Sequence, residues 1–469
     1  MVRIMSELLN RIYSHGPIWF QNLAVTLYGA KIHRERYGRK FTDKLEEFER
    51  NEWLSQDELV DYQNRKLERL IRHAYDHVPY YQLRMNELKL KPADIRTVSD
   101  LYKLPVLTRA ELKKNLPALK ARNYPRWQVR AGHTSGTTGS PLEIFWDNEM
   151  CVVNNVVDWR QKKWAGLRYG DRIALLVGRV VVRPGQTQPP FWRTNLIHHQ
   201  LFFSSFHLHP ENLRHYAEKL KEFKPRALEA YPSTAYILAR YLNQRNEIIP
   251  LECVLTSSET LYPHYREEIE KAFGCPVFDY YGQAERVVFA TECSAHHGHH
   301  VNSDYGILEI LKDGKSPAAP GETGWMVATS LHNFAVPLIR YVTNDLTAWK
   351  TEECPCGRKF PLMEDITTKA EDFITTRDGK YISSSVLTHP FKDLHHVRES
   401  QIIQPDREHI LVKIVKDAGY TDDETKKLLE GLSQRLGAEM KIEIQFTDLI
   451  PRTKAGKLRW VISEVPLEF

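Results

Sequence analysis

Between residues 173 and 279, short apolar runs alternate with helix-patterned stretches, and this rhythm restricts the possible folds more than any other feature. Ile173-Ala174-Leu175-Leu176-Val177, Ala227 to Ala230, Glu252-Cys253-Val254-Leu255 and Pro276-Val277-Phe278-Asp279 read as buried strands. Glu211 to Phe223, Thr234 to Asn243 and Tyr265 to Phe273 read as the helices between them. Repeated βα units imply a largely parallel sheet, an α/β fold. From Gly306 to Val342 the pattern changes. Runs such as Gly306 to Leu311 and Gly324 to Thr329, punctuated by Asp313-Gly314 and Pro320-Gly321, predict an antiparallel, barrel-like part. After Ile366, strands at Ile410 to Val415 and Ile442 to Phe446 flank a helix from Asp423 to Leu436, enough for a small α+β domain.

The first 70 residues read as a helical extension. Asp57 to His73 carries Leu59, Tyr62, Leu67, Leu70 and Ile71 at helical spacing, and Val78-Pro79-Tyr80-Tyr81 ends that helix. Leu104 to Thr108 caps a short helix over Arg109 to Asn115. Ile18-Trp19-Phe20 and Leu23-Ala24-Val25, followed by Lys31, Arg34, Arg36, Arg39 and Lys40, fit a packing helix with a solvated basic face, and also a peripheral membrane contact. At 469 residues, two or three domains are expected. A net charge of +5 without an aromatic-interleaved basic run argues against a nucleic-acid partner. Six cysteines in so long a chain are no disulfide framework and fit a reducing cytoplasm. No stretch is long and apolar enough to span a membrane.

Four polar stretches carry the chemistry. In His133-Thr134-Ser135-Gly136-Thr137-Thr138-Gly139-Ser140-Pro141, hydroxyls and glycines alternate ahead of the β-prone Leu142 to Trp146. Such a loop brings backbone N–H groups close to an anion, most naturally a polyphosphate. No Walker A pattern occurs, so a nucleotide would be held in another way. Asp279-Tyr280-Tyr281-Gly282-Gln283-Ala284-Glu285 follows a strand, offering a carboxylate for Mg²⁺ and a ring for a base. Arg340-Tyr341-Val342-Thr343-Asn344-Asp345 ends with a carboxylate able to accept both hydroxyls of a ribose. Pro451 to Arg459 is basic and carries Lys457, able to neutralise phosphate charge.

Together and in this order, the four stretches resemble the motifs of the adenylate-forming superfamily of acyl-CoA synthetases, adenylation domains and luciferases, over about residues 70–465. His73 to Tyr81 and Asp94-Ile95-Arg96 to Leu104-Pro105 resemble its phenylacetate–CoA ligase branch. The basic helical N-terminus and Asp378-Gly379-Lys380 look more like members found in capsular-polysaccharide gene clusters. The resemblance implies residues 71–368 as an adenylation domain and 369–469 as a mobile lid domain. It implies an ATP-dependent ligase that converts a carboxylic acid, aromatic or otherwise small, into acyl-AMP and pyrophosphate, then passes the acyl group to coenzyme A. Lys457 would stabilise the transition state. Ser135, Gly136, Thr137, Thr138 and Gly139 would hold the β- and γ-phosphates, with Mg²⁺ on Glu285 and Thr138. Asp345 would hold the ribose. Ser257, Ser258 and Glu259 fall where the family contacts adenine, beside Tyr280, Tyr281 and Gly282. Tyr231, Pro232 and Ser233, with Tyr280, would line the acyl pocket. Lys369 stands at the family's hinge arginine and Glu371 at the hinge itself. Val342 replaces the motif's arginine, and Ser140 replaces a lysine common in the phosphate loop. A lysine cannot reproduce a bidentate arginine contact. The Lys369 and Val342 departures keep open an amide ligase with an amine acceptor in polysaccharide biosynthesis; a third reading, a non-catalytic nucleotide-binding scaffold, has the intact Glu285, Asp345 and Lys457 against it.

Cys293 is followed by His296, His297, His299 and His300, and Cys354-Pro355-Cys356 lies further on. Three thiols and one imidazole make a closed shell suited to structural zinc. The register of the phenylacetate–CoA ligase relatives selects His300, with His299 as the alternative. Cys151, Cys253 and Cys275 are expected in the core.

Overall fold

The structure is a computed structural model that describes residues 12–133, 142–183, 185–312, 316–366, 373–378, 381–391, 394, 396–451 and 459–465. The strands are β1 Val129–His133, β2 Glu143–Asp147, β3 Ile173–Leu176, β4 Trp192–Asn195, β5 Gln200–Phe203, β6 Ala227–Ala230, β7 Cys253–Ser257, β8 Val277–Gly282, β9 Phe289–Glu292, β10 His299–Val301, β11 Gly306–Leu311, β12 Gly324–Ser330, β13 Tyr341–Thr347, β14 Leu362–Met363, β15 Phe373–Thr375, β16 Tyr381–Ser383, β17 Val397–Gln404, β18 His409–Lys416, β19 Lys441–Phe446 and β20 Val461–Ser463.

The expected parallel sheet is present. Nine strands run in the order β14-β10-β9-β8-β7-β6-β3-β5-β4. The central run β5-β3-β6-β7-β8 is parallel, and the remaining strands add antiparallel edges. The crossover helices start where the sequence supplies a proline with its φ pre-set for the first turn: Pro210, Pro232 and Pro263. Gly274 closes the last of them at φ +59°, a conformation that favours glycine. Leu176, Leu228, Val254 and Val277 pack against the helix residues Leu220, Leu238 and Ile269 in one core.

β11, β12 and β13 form a three-stranded antiparallel sheet, which is the form the barrel-like part takes among the described residues. β13 also bridges the loop before helix Arg109–Leu119, through Leu107 N–H to the Arg340 carbonyl at 2.8 Å. β17 to β20 form a separate four-stranded sheet under helix Asp422–Leu436, with its own apolar core around Ile402, Val412, Leu428 and Leu432.

The N-terminal region is not a separable extension. Helix Gln56–His77 opens on a reciprocal Ser55/Glu58 capping box and runs straight through the expected boundary at residue 70. Phe41 and Phe48, on helix Arg39–Asn51, share a core with Met150, Val153 and Val157 of helix Asn148–Trp164. Val78 ends the Gln56–His77 helix as expected, but Pro79 then begins another, Pro79–Glu87. The helix expected to stop at Asn115 continues to Leu119. Helix Ile18–Arg36 covers the β4 edge, where Gly29 lies so close to Asn195 that a Cβ would sit 2.5 Å from its amide.

Candidate nucleotide cleft and metal centre

Three of the sequence-singled stretches emerge side by side. Tyr231-Pro232-Ser233, Ser257-Ser258-Glu259 and Tyr280-Tyr281-Gly282 sit at the C-terminal ends of β6, β7 and β8, which are neighbours in the parallel sheet. In an open α/β sheet, ligands bind at such carboxyl edges. A cleft opens there, lined by Ser258, Glu259, Tyr280, Tyr281, Gly282, His299 and Asp365. Ser258 at φ +73° and Arg286 at φ +57° hold left-handed backbone that L-residues rarely adopt. The Ser233 N–H donates to Glu259 Oε2 at 3.1 Å, joining two of the three stretches. The Tyr280 ring stacks on Phe289 with centroids 4.8 Å apart.

The two carboxylates are held crosswise. Tyr281 donates its hydroxyl to Asp345 Oδ2 at 2.6 Å, and the Gln283 amide donates to the same Tyr281 oxygen. Tyr341 donates to Glu285 Oε1 at 3.0 Å. Thus the tyrosine of each stretch anchors the carboxylate of the other and joins the end of β8 to β13. Burial raises both phenols well above their ordinary value, so they act as donors throughout the accessible pH range. Trp146 adds a bond from Nε1 to the Ala284 carbonyl at 3.0 Å, and the Arg286 guanidinium lies 4.1 Å from the Trp146 ring centre.

Several site residues escaped the sequence reading. Arg109 NH1 lies 3.6 Å from Glu285 Oε1. It opens a helix whose Thr108/Glu111 capping box was legible, but its partner is remote in sequence. Asp279, Asp365 and His299 form another unforeseen group, with His299 Nε2 at 3.3 Å from Asp279 and Nδ1 at 3.2 Å from Asp365. Burial opposes charge on this imidazole, but the two carboxylates outweigh it and push it up to about 10. Ser135, Gly136, Thr137, Thr138, Gly139, Ser140, Lys369, Glu371 and Lys457 lie outside the described residues. The strands flanking the Ser/Thr/Gly loop are described. β1 and β2 form a hairpin in which His133 faces Glu143.

Cys293, His300, Cys354 and Cys356 converge, with ligand atoms all within 4.8 Å of one another. Cys293 Sγ lies 3.4 Å from Cys354 Sγ, and Cys356 Sγ lies 3.4 Å from His300 Nε2. The first separation is far too long for a disulfide. Both approach the edge, about 3.8 Å, of a tetrahedron with metal–sulfur bonds of about 2.3 Å. His300 Nδ1 faces the Phe360 carbonyl at 3.2 Å, a bond it can make only as donor, which leaves the Nε2 lone pair toward Cys356. His299, engaged by Asp279 and Asp365, is not in the group. The donor set fits a closed zinc site. Cys253 and Cys275 are buried in the sheet's cores and Cys151 near Arg286, all as free thiols.

Comparison with known proteins agrees with this geometry. Residues 374–464 match the CapK C-terminal domain family. Protein CapK of Staphylococcus aureus is 27% identical over 467 residues, covering 98% of this chain and 100% of that protein. Phenylacetate-coenzyme A ligase of Thermus thermophilus is 25% identical over 449 residues, covering 88% and 98%. The chain is thus similar to CapK and to phenylacetate–CoA ligases over most of its length. Among solved structures, 2-hydroxyisobutyryl-CoA ligase in its postadenylation state superposes with a TM-score of 0.57 at 22% identity, over 88% of this chain and 91% of that one, a likeness of fold. The same enzyme in its thioesterification state gives 0.57 at 23% identity.

Proposed function

We propose that this chain is a member of the adenylate-forming superfamily, an AMP-forming ligase that activates a small carboxylic acid as acyl-AMP, releases pyrophosphate and passes the acyl group to coenzyme A. The crossed pairs Tyr281–Asp345 and Tyr341–Glu285, of which Tyr281 lines the cleft, carry this reading. They hold a ribose-suited and a metal-suited carboxylate in fixed relation.

In this reading the nucleotide lies along the ends of β7 and β8. Ser257, Ser258 and Glu259 border the adenine, Tyr281 and Gly282 the sugar, and Asp345 accepts from the ribose hydroxyls. Glu285, with Thr138, would hold Mg²⁺, which neutralises phosphate charge when bound. The tyrosine and arginine contacts to Glu285 both fall on Oε1. Ser135 to Gly139 grip the β- and γ-phosphates. Lys457 bridges the acid's carboxylate and the α-phosphate, where charge develops as the carboxylate attacks. Tyr231, Pro232, Ser233 and Tyr280 bound the acid. Rotation of the C-terminal domain about Glu371, with Lys369 beside it, then withdraws Lys457 and admits the thiol. Cys293, His300, Cys354 and Cys356 hold structural zinc.

Pyrophosphate release over a panel of carboxylic acids, with and without coenzyme A, tests this. Acid-dependent release with thioester formation supports it. Release with hydroxylamine-trappable product and no thioester favours the amine acceptor, the reading that Val342 in place of the motif's arginine keeps alive. Absence of release with every acid favours a binding scaffold.

A further inference from the structure

Helix Ile18–Arg36 is fixed along one side. Arg193 donates to Gln21 Oε1 at 2.6 Å, Thr194 N–H donates to Asn22 Oδ1 at 2.9 Å, and Thr26 bonds the Thr194 carbonyl and the Leu196 N–H. These bonds glue the helix to edge strand β4. They turn Trp19, Leu23 and Leu27, four residues apart and so on one face, away from the body of the molecule. Their exposures are 68%, 46% and 61%. Leu196 and Ile197, just past β4, are exposed as well. Nothing among the described residues covers this row. Continuing along the face come Lys31 and Arg34, both exposed.

The charge is concentrated here. Residues 18–40 contain Lys31, Arg34, Arg36, Arg39 and Lys40 against one carboxylate, Glu35, a net +4 in a chain whose total is +5. Glu35 is itself turned to Arg130 at 3.5 Å. Arg39 pairs with Asp43 at 3.9 Å, which leaves Lys31 and Arg34 as the exposed cations in line with the apolar row. Exposed Trp and Leu side chains beside such cations fit the headgroup–acyl boundary of an anionic bilayer, where apolar groups leave water and cations meet phosphate. No described helix is long and apolar enough to cross a membrane, so the contact would be parallel to the surface.

We infer that this helix face docks the protein on anionic lipid surfaces. Flotation of the full-length chain with vesicles of phosphatidylcholine, alone or mixed with phosphatidylglycerol, tests it. Partition is expected with the anionic vesicles, weakened by high salt. Leu23→Glu with Leu27→Glu, and separately Lys31→Glu with Arg34→Glu, should each reduce it at least about tenfold, with circular dichroism and melting temperature unchanged. Failure to float with either vesicle, or equal flotation of both variants, overturns the inference. Sedimentation velocity supplies a further arm. A dimer that Leu23→Glu with Leu27→Glu dissolves, in a protein that does not float, would assign the face to a second copy of the chain instead.

Discussion

A tyrosine hydroxyl against a carboxylate is a small thing to organise a cleft around, yet each does two jobs here. It satisfies a partly buried charge and it ties β8 to β13. Hydrogen bonds to charged groups contribute about 1.5–3 kcal/mol, so Tyr341→Phe should slow ATP–pyrophosphate exchange by roughly tenfold or more while changing the melting temperature little. Tyr281→Phe, acting on the ribose side, should raise the KM for ATP instead, and exchange kinetics at varied ATP separate the two. These pairs were invisible in the sequence: the four residues could be named from their stretches, but which phenol meets which carboxylate depends on how two distant strands lie. A second residue-scale effect concerns pH. His332 is buried and donates from Nε2 to the Asp304 carbonyl at 2.8 Å, and burial pushes its imidazole down to about 3. The unfolded chain takes up this proton near pH 6.5 and the folded chain does not. Stability is therefore complete above pH 6.5 and falls as the pH drops from there toward 3, at up to about 1.4 kcal/mol per pH unit. Thermal melts between pH 7.5 and 5 should show a shallower decline for His332→Gln than for the parent.

Helix Asn148–Trp164 shows what the sequence hides at the scale of elements. It was not anticipated, although Asp147 caps it through the Met150 N–H at 2.7 Å. Val152, Val153, Val156 and Val157 are β-branched, and buried apolar positions alternate with buried Arg160, Gln161 and Lys162. A helix enclosed on more than one side has no single apolar stripe to read. Two of these polar side chains, Arg160 and Lys162, meet carboxylates. Arg160 meets Asp304 at 2.7 Å and the Phe48 carbonyl at 2.7 Å, and Lys162 lies between Asp158 at 2.6 Å and Glu229 at 3.2 Å. The alternating βα elements were legible because each strand and crossover helix carries its own local pattern. By contrast, β4 at the sheet's edge and β5 beside it take their identity from the sheet. Arg160→Leu would leave Asp304 charged, fully buried and without its ion-pair partner, and should cost about 3–5 kcal/mol in urea unfolding. Losing less than about 1 kcal/mol would show that Asp304 finds another partner.

For the whole molecule, the proposed role of Lys457 in the C-terminal segment makes its own prediction. If Lys457 serves only the first half-reaction, Lys457→Ala abolishes acyl-AMP formation but spares thiolysis of supplied acyl-AMP; equal loss of both would contradict a rotating domain. The metal centre is testable separately. Purified protein should carry about one zinc per chain by elemental analysis, Cys354→Ser should lose it, and chelation should lower the melting temperature before it alters exchange kinetics. The four candidate ligands were legible because cysteines are rare in this chain and the resemblance's register pointed to His300, and the structure gives a physical reason for leaving out His299, which Asp279 and Asp365 engage. Cys293 and Cys354 stand 61 positions apart, and β11, β12 and β13 lie wholly between them. An ion joining the two would turn that stretch into a closed ring, shrinking the conformations open to the unfolded chain. Asp345 sits inside the ring and Glu285 outside it. Hydrogen exchange should then find the three-stranded sheet opening together with β9 and β10 as one cooperative unit, and fraying by itself once the ion is removed.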